Sequence, residues 1–234
     1  MILNKYVSHC GIASRRAAVE LIKKGFITVN DEPATHPAYE VKKTDVIKYK
    51  GKLIKPEVKK IYILMNKPKN VITSLSDESG RKTVIDLLNN KISERIYPVG
   101  RLDYQTTGLL LLTNDGDMAK KLSHPSHKVT KIYEVTIDKP LTDQHRDQIE
   151  NGFDLEDGHV KVNWIKVLDD EKKIINVEIH FGKNRIIRRI FEHFKYNVEK
   201  LDRVYYAGLT KKGLKRGWFR HLTEQEIIML KHFV

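Results

Sequence analysis

The chain has 234 residues, of which 43 are Lys or Arg and 30 are Asp or Glu, so its net charge at neutral pH is +13. The apolar share of 40% is enough for a sizeable core and excludes a disordered protein. The single cysteine, Cys10, excludes an intramolecular disulfide and a multi-thiol metal site and favours a reducing, cytoplasmic compartment. No apolar run approaches the ~20 residues of a membrane span, and Asn4 and Lys5 interrupt any signal-peptide core. We expect a monomer that binds nucleic acid and no membrane.

The beginning of the chain predicts a helical hairpin followed by short strands. Apolar residues keep helical spacing over Leu3–Cys10 and again over Ala17–Ile22, and Ser14 is placed to cap the second helix. Alternating residues over 26–29 and 45–49 predict two short strands.

Positive charge is concentrated in this part of the chain. Residues 1–60 carry a net charge of +7, whereas the remaining 174 residues carry +6. The outer side of the predicted hairpin carries five cations: Lys5, Arg15, Arg16, Lys23 and Lys24. A phosphate would be favoured beside the start of the second helix; a solvated basic face without a ligand is the alternative. The lysine-rich stretch 48–60 predicts a strand tail running into a flexible connector, with a domain boundary near residue 59.

Five stretches in the first part of the chain resemble the same known module: Ile2–Tyr6, Gly11–Arg16, Leu21–Gly25, Ile27–Asn30 and Asp45–Ile47. Together they resemble the S4 RNA-binding module. The resemblance implies that residues 1–59 grip structured RNA through its backbone and shape, with the five cations as the contacting side chains.

The rest of the chain alternates strands and helices. Strands are predicted at 61–66, 109–112, 133–137, 160–164 and 175–181. Helices are predicted at 83–88, 117–122, 142–150, 184–194 and 223–232. This order predicts an α+β fold with a mixed, mainly antiparallel sheet and flanking helices, and not a doubly wound fold.

A candidate catalytic group lies on the loop 100–108, directly before the leucine run Leu109–Leu112. Such a run is long enough for a strand buried on both faces, which would hold its flanking loop rigidly. Asp103 on this loop is either a catalytic carboxylate or a turn residue that accepts backbone amides.

The sequence around Asp103 decides between these interpretations by resemblance. Gly100–Asp103 and Thr107–Gly116 resemble the signature motif of pseudouridine synthases of the RsuA/RluB type. Downstream, Lys131–Tyr133 resembles the Lys-x-Tyr strand of that family, and Gly182–Phe191 resembles its arginine-rich helix. Ile186 departs from the pattern, because the family often has Gln there.

The resemblance implies an isomerase that converts uridine to pseudouridine in ribosomal RNA, or in a ribosomal assembly intermediate, with residues 60–234 as the catalytic domain. The segment Leu75–Leu88 resembles the RluB-type branch, which implies large-subunit RNA. Because the isomerisation neither gains nor loses atoms, we expect no redox or group-carrying cofactor.

Individual roles also follow from the resemblance. Asp103 is implied to be the catalytic carboxylate, Arg188 the cation that keeps it ionised, and Tyr133 the aromatic wall and proton carrier for the uracil. Contacts to RNA are implied for three further arginines: Arg101, which would extract the base, Arg185 and Arg189. Asp103 would either attack C1′ of the ribose or remove the C2′ proton, and both routes use the same carboxylate.

The predicted helix 184–194 supports this assignment independently. Its crowded arginines indicate a nearby anion, either Asp103 or an RNA phosphate; an exposed basic helix balanced by Glu192 is the alternative.

Other functions stay open at this point. They are a small-subunit rRNA pseudouridine synthase, a non-catalytic ribosome-assembly protein, and a metal-dependent nuclease using Asp115 and Asp117. A metal site at His124 and His127 is disfavoured, because no cysteine or acidic cluster converges on it, and we expect no metal.

Overall fold

The computed structural model describes residues 1–57, 59–89 and 91–232. It divides into two compact units, Met1–Lys60 and Ile61–Val234, and each has a hydrophobic core of its own.

The first unit packs two helices against a small antiparallel sheet. Its elements are α1 (Leu3–His9), α2 (Arg15–Lys23), β1 (Ile27–Val29), β2 (Glu32–Pro33), β3 (Ile47–Tyr49) and β4 (Lys52–Leu53), with the strand order β2-β1-β3-β4. Ser14 caps α2 as predicted, because its hydroxyl accepts a hydrogen bond from the Ala17 amide at 3.1 Å. The inward faces of both helices supply Leu3, Val7 and Ile22 to the core.

The basic stretch after residue 48 is ordered further than the sequence predicted. Lys48 lies inside β3, and the chain then turns at Lys50 and Gly51, both with positive φ, so that Leu53 pairs back with Lys48. Ile54 is buried. The prediction of a flexible connector was therefore wrong up to Ile54, because a count of lysines carries no information about backbone pairing.

The second unit is built on a nine-stranded mixed sheet. The strands after β4 are β5 (Tyr62–Lys67), β6 (Tyr97–Pro98), β7 (Thr107–Thr113), β8 (Lys131–Ile137), β9 (Phe153–Leu155), β10 (Gly158–Val160), β11 (Trp164–Val167), β12 (Ile174–Ile179), β13 (Val198–Tyr206), β14 (Leu209–Thr210) and β15 (Phe219–His221). The main path is β11-β12-β8-β13-β7-β5-β15, with β14 added to β13 and β6 to β7. Strands β9 and β10 form a separate hairpin. Only the pairing of β13 with β7 is parallel among the described strands, which confirms the predicted mixed, mainly antiparallel sheet.

The helices of this unit are α3 (Gly116–Ser123), α4 (Asp143–Asn151), α5 (Ile186–His193) and α6 (Glu224–His232). The predicted helix at 83–88 is only a short 3-10 turn, Asp86–Leu88, because Asn89 follows in the left-handed region and ends it. The predicted strand 160–164 is also wrong. Val160 closes the β9–β10 hairpin opposite Phe153, and Trp164 opens β11 opposite Glu178.

The centre of the sheet is buried on both faces. Leu110 and Leu112 of β7 enter one core, and Leu109 and Leu111 enter the other. All residues of β5 and β7 are buried, as predicted for the leucine run. Two cores therefore fix β7, and the loop that leads into it starts from a rigid element.

Candidate active site

A cleft of about 350 Å³ opens beside the loop that precedes β7. Residues from three separate parts of the sequence meet in its lining: Arg101 and Asp103, Tyr133, and Arg185. Such a convergence of titratable side chains in one cleft is typical of an active site.

The Asp103 loop is held by its backbone. Thr73 donates its hydroxyl to the Leu102 carbonyl at 2.7 Å, and the same hydroxyl accepts from the Leu102 amide at 3.2 Å. The Asp103 carbonyl accepts from the Thr106 amide at 3.0 Å, which closes the turn. Among the described residues, no donor forms a hydrogen bond with the Asp103 carboxylate. The side chain is therefore not the cap of its own turn, and the half-buried Asp103 lines the cleft.

Lys67 is a second support of this loop, and the sequence analysis missed it. Its buried ammonium donates to the carbonyls of Asp103 at 3.1 Å and Thr106 at 2.8 Å, and also to that of Pro68 at 3.1 Å. Burial lowers the pKa of Lys67 to about 8, while the charge of Asp103 raises it and the charge of Arg216 lowers it. A lysine at the end of an apolar strand was the available signal.

Arg188 does not form the predicted direct pair with Asp103, since the described residues contain no ion pair between them. Its Nη1 donates instead to the Val198 carbonyl at 2.8 Å, and its Nε is buried without a hydrogen-bond partner. Burial, and then the charge of Arg185, lower the pKa of Arg188, whereas the charge of Asp103 opposes them. The negative charge of Asp103 thus acts on Arg188 without a direct contact, and the buried Nε–H of Arg188 has no acceptor.

Tyr133 and Arg203 face each other on paired strands of the cleft wall. Tyr133 on β8 is 9% exposed and lies in register with Arg203 on β13. The Arg203 guanidinium is buried, donates from Nε to the Leu109 carbonyl at 2.7 Å, and lies 4.6 Å from the Tyr206 ring centroid. Burial and, to a smaller extent, the charge of Arg203 lower the pKa of Lys131 to about 8. The sequence did not single out Arg203, because an arginine inside an apolar strand pattern carries no motif of its own.

The other predicted arginines have different surroundings. Arg185 is exposed on the cleft lining and lies just before α5 with a left-handed backbone (φ 46°). Arg189 pairs bidentately with Asp157 at 3.0 and 2.6 Å, so the anion inferred for the arginine-rich helix is, for this residue, a carboxylate of the protein. Arg189 thereby links α5 to the β9–β10 turn, and its contact with RNA stays a prediction. Arg101 is exposed at the cleft.

A buried carboxylate fixes the start of β7. Asp202 accepts a hydrogen bond from Thr107 at 2.9 Å and two from Arg216 at 2.9 and 2.8 Å, and it also pairs with Lys211. A Cβ on Gly108, whose φ is 105°, would lie 2.5 Å from Asp202 and 2.3 Å from the Arg203 carbonyl, so this motif position requires glycine.

Asp202→Asn should lower the free energy of unfolding by about 2 kcal/mol at pH 7, because the ion pairs are lost. Burial raises the pKa of Asp202, but the hydrogen bonds from Arg216 and Lys211 outweigh it and hold the value at about 2. The stabilisation by ionised Asp202 is therefore fully present above pH 4, near the ordinary pKa of an aspartate, and it is lost as the pH falls to about 2. Urea unfolding at pH 7 and at pH 2 measures it. Asp170→Asn, at an exposed position, controls for net charge, and a variant as stable as the wild type at pH 7 contradicts the assignment.

The predicted cations of the first unit lie on its helices. Arg15, Arg16, Lys23 and Lys24 are exposed along α2 and just after it, and Lys5 is half-buried on α1. Among these, the Lys23 ammonium lies 3.9 Å from the Glu20 carboxylate.

The residues of the metal hypotheses have structural roles. Asp115 caps α3 by accepting from the Met118 amide at 3.2 Å, and the His124 ring contacts the Ser126 hydroxyl at 2.7 Å. Within the described ranges, no group of three or more His, Cys, Asp or Glu residues could hold a metal ion. In the same part of the chain, no helix is long and apolar enough to cross a membrane.

Comparisons with known proteins match both units. Residues 61–193 match the model of the RNA pseudouridylate synthase family, and residues 3–47 match that of the S4 domain. The chain is 42% identical over 233 residues to the ribosomal large subunit pseudouridine synthase B of Bacillus subtilis, covering 98% of this chain and 95% of that protein. It is 36% identical over 230 residues to the dual-specificity RNA pseudouridine synthase RluF of Escherichia coli K12, covering 97% and 77%.

A solved structure agrees with these matches. A crystal structure described as a pseudouridylate synthase superimposes with a TM-score of 0.71 at 25% identity, covering 98% of this chain and 99% of the other. The family resemblance predicted from the Asp103 motif is confirmed. The chain belongs to the RNA pseudouridylate synthase family, and it is a pseudouridine synthase that carries an S4 domain.

Proposed function

We propose that the protein converts a specific uridine of large-subunit ribosomal RNA to pseudouridine, with Asp103 as the catalytic carboxylate. The observation that carries this proposal concerns Asp103, which lines the cleft. Its backbone is fixed by Lys67 and the Thr106 amide, while its carboxylate receives no hydrogen bond from the described residues. The large-subunit substrate is supported by the relative from Bacillus subtilis and by the Leu75–Leu88 segment.

The reaction breaks the bond between C1′ of the ribose and N1 of uracil and forms a bond between C1′ and C5. The C5 proton leaves and N1 gains a proton, so the atoms balance without a co-reactant. Asp103 either attacks C1′ or takes the C2′ proton, and in both routes it must be ionised and rigidly placed.

The surrounding groups fit the needs of this chemistry. Arg188, whose buried Nε has no partner, is proposed to turn its free donor to Asp103 once RNA fills the cleft, since catalytic hydrogen bonds often tighten only in the complex. Tyr133 supplies an aromatic wall for the detached uracil. Arg101 and Arg185, exposed at the cleft, are proposed to extract the base and to contact the phosphates.

We propose a division of labour in which residues 1–59 bring in and orient the RNA and residues 60–234 perform the chemistry. The S4 match over 3–47 and the exposed cations of α2 support this division. A cytoplasmic protein that acts as a monomer on ribosomal RNA or an assembly intermediate completes the proposal.

Replacing Arg15, Arg16, Lys23 and Lys24 together by Gln in the full chain should weaken rRNA binding and flatten the plot of log affinity against log salt by up to about 3 units, since each lost phosphate contact removes about 0.7 to 0.9. The matched control replaces four other exposed cations of the same unit by Gln: Lys42, Lys43, Lys52 and Lys55. Equal loss in both variants would mean that net charge, and not the α2 face, sets the affinity.

Chemical mapping of pseudouridine in rRNA from cells with and without the gene tests the function itself. We expect one or a few large-subunit positions to lose the modification and to regain it with the wild-type gene but not with Asp103→Asn. A change confined to small-subunit RNA would overturn the substrate, and identical maps would leave only a binding role.

A further inference from the structure

Among the described residues, the most exposed large hydrophobic side chain outside the cleft is Trp218, 64% of whose surface is open to solvent. It does not line the cleft, and no step of the isomerisation uses it. We propose that the Trp218 indole is a stacking platform for an unpaired RNA base a few nucleotides from the target uridine. The proposal deepens the proposed function, since its partner is the same RNA.

The platform is rigid. The Trp218 carbonyl accepts from the Asn66 amide at 3.0 Å, and the Trp218 amide donates to the Lys215 carbonyl at 3.1 Å. One residue earlier, the Gly217 amide donates to the Asn66 carbonyl at 2.7 Å. An exposed aromatic ring on a backbone held this firmly loses little conformational entropy when a base stacks on it.

The positive charge near the ring is complementary to the phosphates of a nucleic acid. The segment 211–220 contains five Lys or Arg and no acid. Lys211 and Arg216 pair with Asp202, and Arg220 pairs with Glu226, which leaves Lys212 and Lys215. The Lys215 ammonium lies 5.9 Å from the indole centroid, and both Lys212 and Lys215 are exposed. In the described part of the chain, neither of these two ammonium groups forms an ion pair with a carboxylate. Aromatic faces beside uncompensated cations are the usual elements of single-strand binding.

The position of the ring connects it to the catalytic loop. Trp218 immediately precedes β15 and is bonded to Asn66, the neighbour of Lys67, whose ammonium holds the Asp103 carbonyl. These two hydrogen bonds and the covalent dimensions between them keep the Trp218 and Asp103 carbonyls within about 18 Å of each other. A strand of a few unpaired nucleotides is long enough to extend from the cleft to the ring.

Fluorescence of the full chain tests the stacking directly. The chain has two tryptophans, so Trp164→Phe leaves Trp218 as the only indole. The probes are a 12-nucleotide single-stranded RNA of mixed A and U and a blunt RNA duplex of the same length. We expect quenching of Trp218 by the single strand and little by the duplex, whose bases are already stacked.

Affinity for the same probes gives the second readout. Trp218→Ala should raise the Kd for the single strand by about 5- to 150-fold, and Trp218→Phe by less, because a phenyl ring still stacks. Leu168→Ala, at a 43% exposed position after the opposite edge strand β11, should leave the Kd for the single strand unchanged. Unquenched fluorescence together with an unchanged Kd in Trp218→Ala overturns the platform.

The same variants separate this proposal from the proposed function. Asp103→Asn should keep the quenching while losing isomerisation, because it alters no group of the platform. If Trp218→Ala binds and isomerises like the wild type while Asp103→Asn is inactive, the platform fails and the enzyme assignment stands. If quenching occurs but no uridine is converted by the wild type, the assignment fails and the RNA surface stands.

Discussion

Asp103→Asn should abolish isomerisation while leaving the fold and the affinity for RNA close to those of the wild type. The amide keeps the size of the carboxylate but cannot act as a nucleophile or base, so we expect the rate to fall by about 10,000-fold or more. Stability should change little, because the described residues form neither an ion pair nor a hydrogen bond with this carboxylate. Tritium release from rRNA labelled at C5 of uridine measures the rate, and urea unfolding measures the stability.

A neighbouring aspartate serves as the control for this substitution. Asp115→Asn should retain activity, because Asn also caps a helix and Asp115 caps α3. Both the wild type and this control should be fully active in EDTA, which distinguishes the isomerase from a metal-dependent nuclease. Turnover of Asp103→Asn near the wild-type rate would remove Asp103 from the mechanism.

The sequence predicted those elements that depend only on residues close together in the chain. The cap at Ser14 and the strand at Leu109–Leu112 follow from residue types and spacing over a few positions, and the structure contains both. The family motif around Asp103 likewise lies in one continuous stretch, so its resemblance could be read without knowing the fold.

Features that depend on distant contacts could not be predicted in this way. Lys67 acts on carbonyls 36 to 39 positions away, and Arg189 meets its partner 32 positions away. The sequence indicated an anion near the arginines of α5, but the identity of Asp157 depends on how the β9–β10 hairpin folds back. Long-range pairing of polar groups leaves no period in the sequence.

Lys67→Met should reduce both stability and catalysis, and its effect on stability should be the largest of the substitutions considered. Methionine fills the space of the aliphatic stem but leaves the Thr106 carbonyl without the buried donor and the Asp103 carbonyl with only the Thr106 amide. We expect a loss of about 3 kcal/mol, since unsatisfied buried acceptors are costly and the removal of a buried charge offsets only part of that cost. Lys69→Met, at an exposed position two residues on, is the matched control.

The catalytic effect of Lys67→Met should appear even where the variant is fully folded. A shift of ~1 Å in the loop that carries the proposed catalytic carboxylate can lower kcat by about 100-fold, whereas KM depends mainly on contacts elsewhere. Single-turnover tritium release well below the unfolding temperature separates this effect from loss of folded protein. An unchanged kcat in the folded variant would mean that Thr73 and the Thr106 amide position the loop without Lys67.

The pH dependence of stability provides a signature specific to Lys67. Because burial lowers its pKa to about 8 in the folded protein, the unfolded chain binds more protons between that value and the ordinary 10.5. The contribution of Lys67 to the free energy of unfolding therefore increases as the pH rises from about 8 to about 10.5. Over this range the cost of burying the charge disappears, while the neutral amine still donates hydrogen bonds. The difference in unfolding free energy between the wild type and Lys67→Met should widen over this range, and that between the wild type and Lys69→Met should stay constant. A gap that narrows instead would show that the ammonium charge itself, and not the hydrogen bonds to the Asp103 loop, stabilises the active site.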